Sequence, residues 1–149
     1  MKVSLQVQYA VCGVFDLAYN GQGQPVQIRV IGERQVIPVR YLEQIFQRLR
    51  RADIVASKRG PGGGYTLARP PARISLRQIV EAVEGPIGAM VAMPAPAGAR
   101  RSLRPDFLWG DLAERFADVL GDLSLEQLCR DAARAEVERA HPGAPMYFI

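Results

Sequence analysis

Four polar side chains that can recognise nucleobases recur at helical spacing in the first third of this 149-residue chain. They are Arg40, Glu43, Gln44 and Gln47. With about 100° between successive residues, they share one helix face, roughly 150° from the apolar stripe. Arginine can donate two hydrogen bonds to guanine, glutamine can pair with adenine, and glutamate can accept from the cytosine amine. An ordinary solvated helix face is the alternative, since most polar stripes do nothing more.

A basic, glycine-rich segment follows this helix. The run from Lys58 and Arg59 to Gly64 separates two short β-branched or aromatic segments, 54–57 and 65–68, which predicts two strands joined by a tight tip. Glycines let such a tip approach DNA closely, Arg59 suits a narrow minor groove, and Lys58 would neutralise phosphate. A Walker-type phosphate loop competes, but it needs Gly-Lys-Ser/Thr leading into a helix, and here a strand follows.

Three helices are predicted to position these side chains. Hydrophobic periodicity and stop signals place them at residues 5–19, 25–34 and 38–52, and the third begins at Pro38. Two helices joined by a brief turn and followed by a two-stranded wing are typical of a winged helix-turn-helix. The strict apolar stripe of the third helix consists of Leu42, Ile45, Phe46 and Leu49.

The charge distribution agrees with a polyanionic partner. Residues 25–73 contain ten cations and three acids, a net charge of +7, whereas the whole chain carries only +4 and the remainder therefore −3. Such asymmetry is expected of a surface that faces phosphates, although a solvated charged face would look the same.

Length and composition narrow the domain organisation and the cellular compartment of the protein. The length and the 48% hydrophobic content allow one proper core plus an appendage. The apolar run that ends at Cys12 is interrupted by Gln6 and Gln8, which favours an amphipathic helix over a signal sequence. No stretch approaches the roughly 20 apolar residues of a membrane span. We therefore expect a cytoplasmic protein whose two distant cysteines, Cys12 and Cys129, are reduced thiols.

Catalytic motifs are missing from the sequence. The only histidine, His141, lies in the C-terminal Pro-Gly-Ala-Pro region, and neither a Gly-x-Ser-x-Gly motif nor an acidic metal cluster occurs. The sequence predicts no enzyme.

Several of these segments together resemble the Rrf2 family of winged-helix transcription regulators. The motif residues are Tyr41-Leu42-Glu43-Gln44-Ile45, Leu49-Arg50, Arg59-Gly60-Pro61-Gly62-Gly63-Gly64-Tyr65, Leu67-Ala68, and the helix signature at 74–76 and 79–85. The resemblance is dense over residues 1–85 and loose beyond. It implies a homodimer on double-stranded DNA with a palindromic operator, whose recognition helix enters the major groove and whose Arg59 enters the minor groove. The expected DNA-binding residues are Val39, Arg40, Tyr41, Glu43, Gln44, Gln47, Arg48, Lys58, Arg59, Gly60, Gly62 and Gly63.

The chain departs from the family pattern at two places. Many members hold an iron–sulfur cluster with three cysteines in the loop after the wing-adjacent helix, but residues 86–104 contain neither cysteine nor histidine. Met90 and Met93 are the only soft ligand atoms there, so we expect no cluster and no other cofactor or metal. In addition, Leu5-Gln6-Val7-Gln8 replaces the usual basic run, which removes one expected phosphate contact.

The C-terminal part is predicted to dimerise. A helix over 107–120 carries an apolar face that a lone exposed helix would not keep, and the resemblance implies that it crosses to a partner subunit. Packing against the first helix is the alternative. A last helix over 124–138 has Ser124 and Gln127 as a capping box. The expected dimerisation residues are Leu108, Trp109, Leu112, Phe116, Val119 and Leu120.

The sequence thus predicts a mainly α fold with a small β-wing. Its parts are a winged helix-turn-helix domain at 1–85, a flexible effector-type loop at 86–104, a dimerisation helix and C-terminal helix at 105–140, and a tail at 141–149. The predicted function is a sequence-specific DNA-binding transcription regulator, a homodimeric repressor, responding to a small molecule, to a protein or to no effector. Two alternatives remain: a thiol-based redox sensor of the same fold that uses Cys12 or Cys129, and a protein-interaction module that has lost DNA binding.

Overall fold

The computed structural model describes residues 2–94, 97–98 and 103–140. Parts of the predicted 86–104 loop and the whole 141–149 tail, with His141, lie outside the described residues. The described chain is mainly helical with one small antiparallel sheet, which confirms the predicted fold class. Its elements in chain order are α1 (Leu5–Asn20), α2 (Ile28–Gln35), α3 (Val39–Arg51), β1 (Val55–Lys58), β2 (Gly64–Leu67), a 3-10 turn (Pro71–Arg73), α4 (Leu76–Glu84), α5 (Ile87–Val91), α6 (Phe107–Asp122) and α7 (Leu125–Arg134).

Helix α1 is the centre of the fold, packing against α2, α3, α4, α7 and β2. The apolar stripe predicted for α3 is buried, and its largest member, Phe46, packs beside α1 at Gly13. A Cβ atom on Gly13 would lie 2.7 Å from the Phe46 ring, so this close helix crossing depends on the absence of a side chain. The recognition segment is therefore held by its apolar side, which leaves the polar side free.

A buried carboxylate fixes the relation between α1 and α2. Asp16 is completely buried and accepts hydrogen bonds from Arg34 Nη1 at 3.2 Å, Gln35 Nε2 at 3.0 Å and Asn20 Nδ2 at 3.1 Å. A buried charge is tolerated only when it is paired and hydrogen-bonded in this way. Because Gln35 is the last residue of α2, the bond holds the turn that leads into α3.

The wing is a two-stranded hairpin docked onto the helices. The register pairs Val55 with Leu67 and Lys58 with Gly64, so β1 begins one residue later and β2 one residue earlier than predicted. At the Ile54 end, one hydrogen bond still crosses the hairpin, from Ala68 N to Ile54 O at 3.0 Å, but Ile54 N donates to Leu49 O of α3 at 3.0 Å and does not complete the pair.

The segment after α4 is not entirely a loop. Within the predicted 86–104 loop, Pro86 starts the short helix α5, whose Ile87 is buried. The backbone N–H of Ile87 donates to Glu81 Oε1 of α4 at 3.3 Å. Helix α6 then packs mainly on α4 and α5, whereas the alternative interpretation placed it against α1.

Helix α7 returns to the core of the winged domain. Leu125 is fully buried in the same cluster as the α3 stripe, so this core extends beyond residue 85. The helix ends at Arg134 instead of residue 138, because the chain beyond it is bound to α1: Tyr19 Oη donates to Val137 O at 2.7 Å. Ser124 caps α7 as predicted, whereas the Gln127 side chain donates to Asp131, so half of the predicted capping box is present.

Candidate nucleic-acid interface

The polar stripe of α3 faces outward as predicted. Arg40, Glu43, Gln44 and Gln47 are all exposed. The buried residues of the helix are Leu42, Ile45, Phe46 and Leu49. Among the described residues, the side chains of Glu43, Gln44 and Gln47 have no hydrogen-bond or ion-pair partner in the chain. These side chains keep their full hydrogen-bonding capacity for a ligand.

Arg40 is organised by its neighbour at the start of α3. Its Nη2 donates to Tyr41 Oη at 3.1 Å, and its guanidinium carbon lies 4.8 Å from the centre of the Tyr41 ring. Stacking on an aromatic face orders a guanidinium without using all five of its donors. Val39, the other expected contact at this end of the helix, is half-buried.

Arg48 differs from the rest of the expected DNA-binding set on α3. Its Nη1 donates within the chain, to Gln6 Oε1 of α1 at 3.0 Å and to Val83 O of α4 at 3.1 Å. Periodicity places Arg48 beside the polar stripe, but it gives no information on these partners, which lie 42 and 35 residues away.

Glycines shape the tip of the wing. Gly60 and Gly62 have positive φ values of 88° and 71°, in open space, and Gly63 N donates to Gly60 O at 2.9 Å across the turn. A Cβ on Gly63 would lie 2.3 Å from Lys58 O, and one on Gly64 would lie 2.5 Å from the Val26 backbone. The tight turn therefore needs these glycines, and it presents a backbone with little side-chain bulk.

The two cations of the wing are available for a partner. Lys58 and Arg59 are both exposed, and neither has a hydrogen bond or ion pair with any described residue. Unpaired cations on a narrow tip suit phosphate contact and insertion into a groove of negative potential.

Tyr65 fixes the wing relative to α3. It exchanges two backbone hydrogen bonds with Val26, of 2.9 and 2.8 Å, and its ring meets Phe46 edge-to-face with the ring centres 4.9 Å apart. Arg50 Nη1 of α3 also donates to Ser57 Oγ of β1 at 3.3 Å. The wing and the polar stripe thus form one connected surface. The sequence indicated both parts but neither Tyr65 nor Arg50 as their connection, since these contacts are tertiary.

The apolar residues of helix α6 differ in how far they are buried within the chain. Trp109, Gly110 and Ala113 line a cleft of about 290 Å³ with α5 residues such as Gly88, and Ala117 is buried. The other large side chains expected at the dimer interface lie outside this cleft. Leu108 is 38% and Val119 60% exposed, and Trp109, Leu112, Phe116 and Leu120 are half-buried.

Both thiols are partly buried. Cys12 and Cys129 are half-buried, and burial raises the pKa of the Cys12 thiol. Burial likewise raises the pKa of Cys129, an effect that Arg139 opposes and Glu126 reinforces. Since the thiolate is the reactive form, both groups are less reactive near neutral pH than a free cysteine.

Potential metal ligands are scattered over the described residues. Among them, no three histidine, cysteine, aspartate or glutamate side chains are close enough to hold an ion. The cysteines lie on α1 and α7, outside the 86–104 segment.

No helix among the described residues has both the length and the apolar character needed to cross a membrane.

A helix-turn-helix with an exposed polar face, connected by tertiary contacts to a basic glycine-rich wing, defines a DNA-binding regulator of the winged helix-turn-helix class. The chain belongs to the Rrf2 family, whose profile, described as an iron-dependent transcriptional regulator, matches residues 3–131. The resemblance found in the sequence is thereby confirmed.

Known proteins support this assignment in sequence and structure. The chain is 40% identical over 133 residues to the HTH-type transcriptional regulator IscR of Xenorhabdus nematophila, covering 88% of this chain and 80% of the relative. The structure of T. potens IscR superposes with a TM-score of 0.74 at 33% identity and covers 94% of both chains. That of CymR, the global cysteine regulator of B. subtilis, superposes with a TM-score of 0.72 at 30% identity, over 88% of this chain and 98% of that one.

Proposed function

We propose that this regulator binds a specific, two-fold symmetric DNA site as a cytoplasmic homodimer and represses transcription without a family-type iron–sulfur cluster. The observation that carries the proposal is a pair of exposed polar surfaces, the α3 stripe and the wing cations Lys58 and Arg59. Among the described residues, Arg40 is the only member of these two surfaces with a side-chain partner, and the contacts of Tyr65 and Arg50 connect the two surfaces. One surface can read base edges in the major groove while the other lies over the adjacent minor groove.

The homodimer is supported by the open side of α6. Its small residues are used within the chain, whereas Leu108 and Val119 stay exposed, an arrangement that a second α6 would bury. A two-fold dimer places two recognition helices about 34–36 Å apart, one turn of DNA. A dimer that covers an operator would exclude polymerase from it, and we therefore propose repression as the mode of action.

The absence of a cluster is supported by the missing ligands. Cysteine and histidine are absent from residues 86–104, and the two thiols of the chain are half-buried elsewhere. We expect that reconstitution with ferrous iron and sulfide adds no visible absorption, and that a chelator leaves DNA affinity unchanged. A bound chromophore that alters DNA binding would contradict this part of the proposal.

Selection of bound duplexes from a random library by the purified protein tests the function, carried out at low and high salt between about 50 and 200 mM. The expected result is enrichment of one symmetric site whose half-sites are one helical turn apart. Sequence-independent binding that disappears with salt would contradict the proposal and favour a fold that has lost its readout.

A further inference from the structure

Arg48 joins three helices at the edge of the recognition surface. Its Nη1 donates both to Gln6 Oε1, near the start of α1, and to Val83 O, in the last turn of α4. The same α3 side chain thus contacts two elements that do not belong to the helix-turn-helix.

The end of α4 is an electrostatically suitable partner for a guanidinium. The last four carbonyls of a helix lack intrahelical partners, and Val83 O is one of them. The partial negative charge of a helix C-terminus attracts a cation, and a charge-assisted hydrogen bond strengthens the contact. Ser4 Oγ, at the N-cap of α1, donates to the Glu84 carboxylate in the same turn, so α1 and α4 are also joined directly.

The end of α4 leads directly into the short helix α5. Gly85, with a φ of 87°, and Pro86 connect α4 to α5, and Ile87 N donates to Glu81 Oε1. A displacement of α5 or of the end of α4 therefore changes the position of the Val83 carbonyl that Arg48 binds.

We infer that Arg48 is a positioning residue and not a phosphate contact: it sets the orientation of α3 against α1 and the end of α4. This inference rests on the proposed function, because it concerns how the DNA-reading helix is held. The competing role, direct contact with phosphate, would need only the positive charge of Arg48.

Two variants that conserve charge separate these roles. Arg48→Lys keeps the cation, but a lysine ammonium is a compact point charge that does not reproduce the guanidinium fork. Gln6→Ala removes one acceptor and no charge. Affinity is measured for the selected duplex and for a scrambled duplex over a range of salt, with folding checked by circular dichroism. Lys58→Ala is the control for lost phosphate contact, which should lower the salt slope by about 0.9 for each contact.

If Arg48 positions α3, Arg48→Lys lowers the affinity for the selected duplex about tenfold. The affinity for the scrambled duplex and the salt slope remain unchanged. Gln6→Ala also lowers the affinity for the selected duplex. The double variant is then no weaker than Arg48→Lys alone. If Arg48→Lys binds the selected duplex as tightly as the unchanged protein, the inference is wrong. Should Arg48→Lys fail to fold, Gln6→Ala decides by the same criterion.

Amide hydrogen exchange of the DNA-free protein gives a second, independent readout. If the contacts of Arg48 with Gln6 and Val83 hold α3 in place, amide exchange in α3 is faster in both variants than in the unchanged protein. Unchanged exchange in α3 contradicts the inference. Failure to select any specific site would refute the proposed function while this readout still decides the role of Arg48.

Discussion

Val36 occupies an unfavourable backbone conformation at the turn between α2 and α3. It has φ 57° and ψ 50°, in the left-handed region, and its side chain is 86% exposed, so little packing offsets the strain. A non-glycine residue costs about 1–2 kcal/mol there, and part of that is returned because glycine loses more entropy on folding.

Val36→Gly is therefore expected to stabilise the protein by about 1 kcal/mol, which raises Tm by a few degrees for a chain of this size. Val36→Ala is the matched variant: it removes the branching but not the strain, and its effect should be smaller. Thermal unfolding of the three proteins checks this, and a lower Tm for Val36→Gly would show that the valine side chain stabilises the turn.

The two thiols give a second prediction at the residue scale. Because burial raises the pKa of Cys12 and of Cys129, both remain protonated near neutral pH. We expect iodoacetamide to label each more slowly than a free cysteine at about pH 7, and the rate to increase as the pH rises toward the elevated pKa. Peptide mass spectrometry measures the rates, with denatured protein as the control. Rapid labelling of either thiol at neutral pH would favour the redox-sensor alternative.

Residue types alone were enough to predict the α3 face but not the role of each side chain on it. Arg40, Glu43, Gln44 and Gln47 could be assigned because helical periodicity is local. The two acceptors of Arg48 could not, since they depend on how three helices pack. Asp16 was missed for the same reason: its three donors come together only in the folded chain.

The docking of the wing onto the preceding segment depends on a single glycine. Gly64 has φ 144°, and a Cβ there would lie 2.5 Å from the backbone of Val26, the residue that anchors the hairpin. Gly62 also has a positive φ, of 71°, but nothing lies within 4 Å of its Cβ position. A side chain at Gly64 would therefore clash with a neighbouring element, whereas a side chain at Gly62 would cause backbone strain alone.

Gly64→Ala should destabilise the protein by about 2–3 kcal/mol, and Gly62→Ala by about 1 kcal/mol. Denaturant unfolding of the two variants in parallel provides the measurement. Gly64→Ala should also weaken DNA binding, because the wing loses its anchor to Val26. Equal stability of the two variants would mean that the wing does not dock as described.

Short elements and element ends were the least predictable from sequence. Helix α5 has only five residues and depends on the burial of Ile87, since isolated helices of this length are unstable. The end of α7 was placed too late because residues 135–140 bind the end of α1, where Ala140 N donates to Asn20 Oδ1 at 2.8 Å. Helical periodicity contains no information on such distant partners.

At the scale of the whole molecule, the proposed homodimer depends on the open side of α6. Val119 is 60% exposed, so a change there should not disturb the fold of one subunit. A buried, unpaired carboxylate, by contrast, is strongly unfavourable at a subunit interface.

Val119→Glu is expected to convert the dimer to a monomer and, by separating the two recognition helices, to lower affinity for a symmetric site by at least tenfold. Sedimentation velocity and DNA titration measure the two effects. Glu114→Lys, an exposed position on another face of α6, is the control and should remain dimeric. A Val119→Glu protein that stays dimeric would exclude this side of α6 as the interface.

The central claim is that α3 and the wing together bind specific DNA, and Arg59→Ala tests it most directly. Its affinity for the selected duplex is measured beside that of Arg134→Ala, which removes the same charge from a 74% exposed side chain on α7. We predict a loss of about 10- to 100-fold for Arg59→Ala and almost none for Arg134→Ala. Unchanged affinity of Arg59→Ala would contradict the wing mechanism.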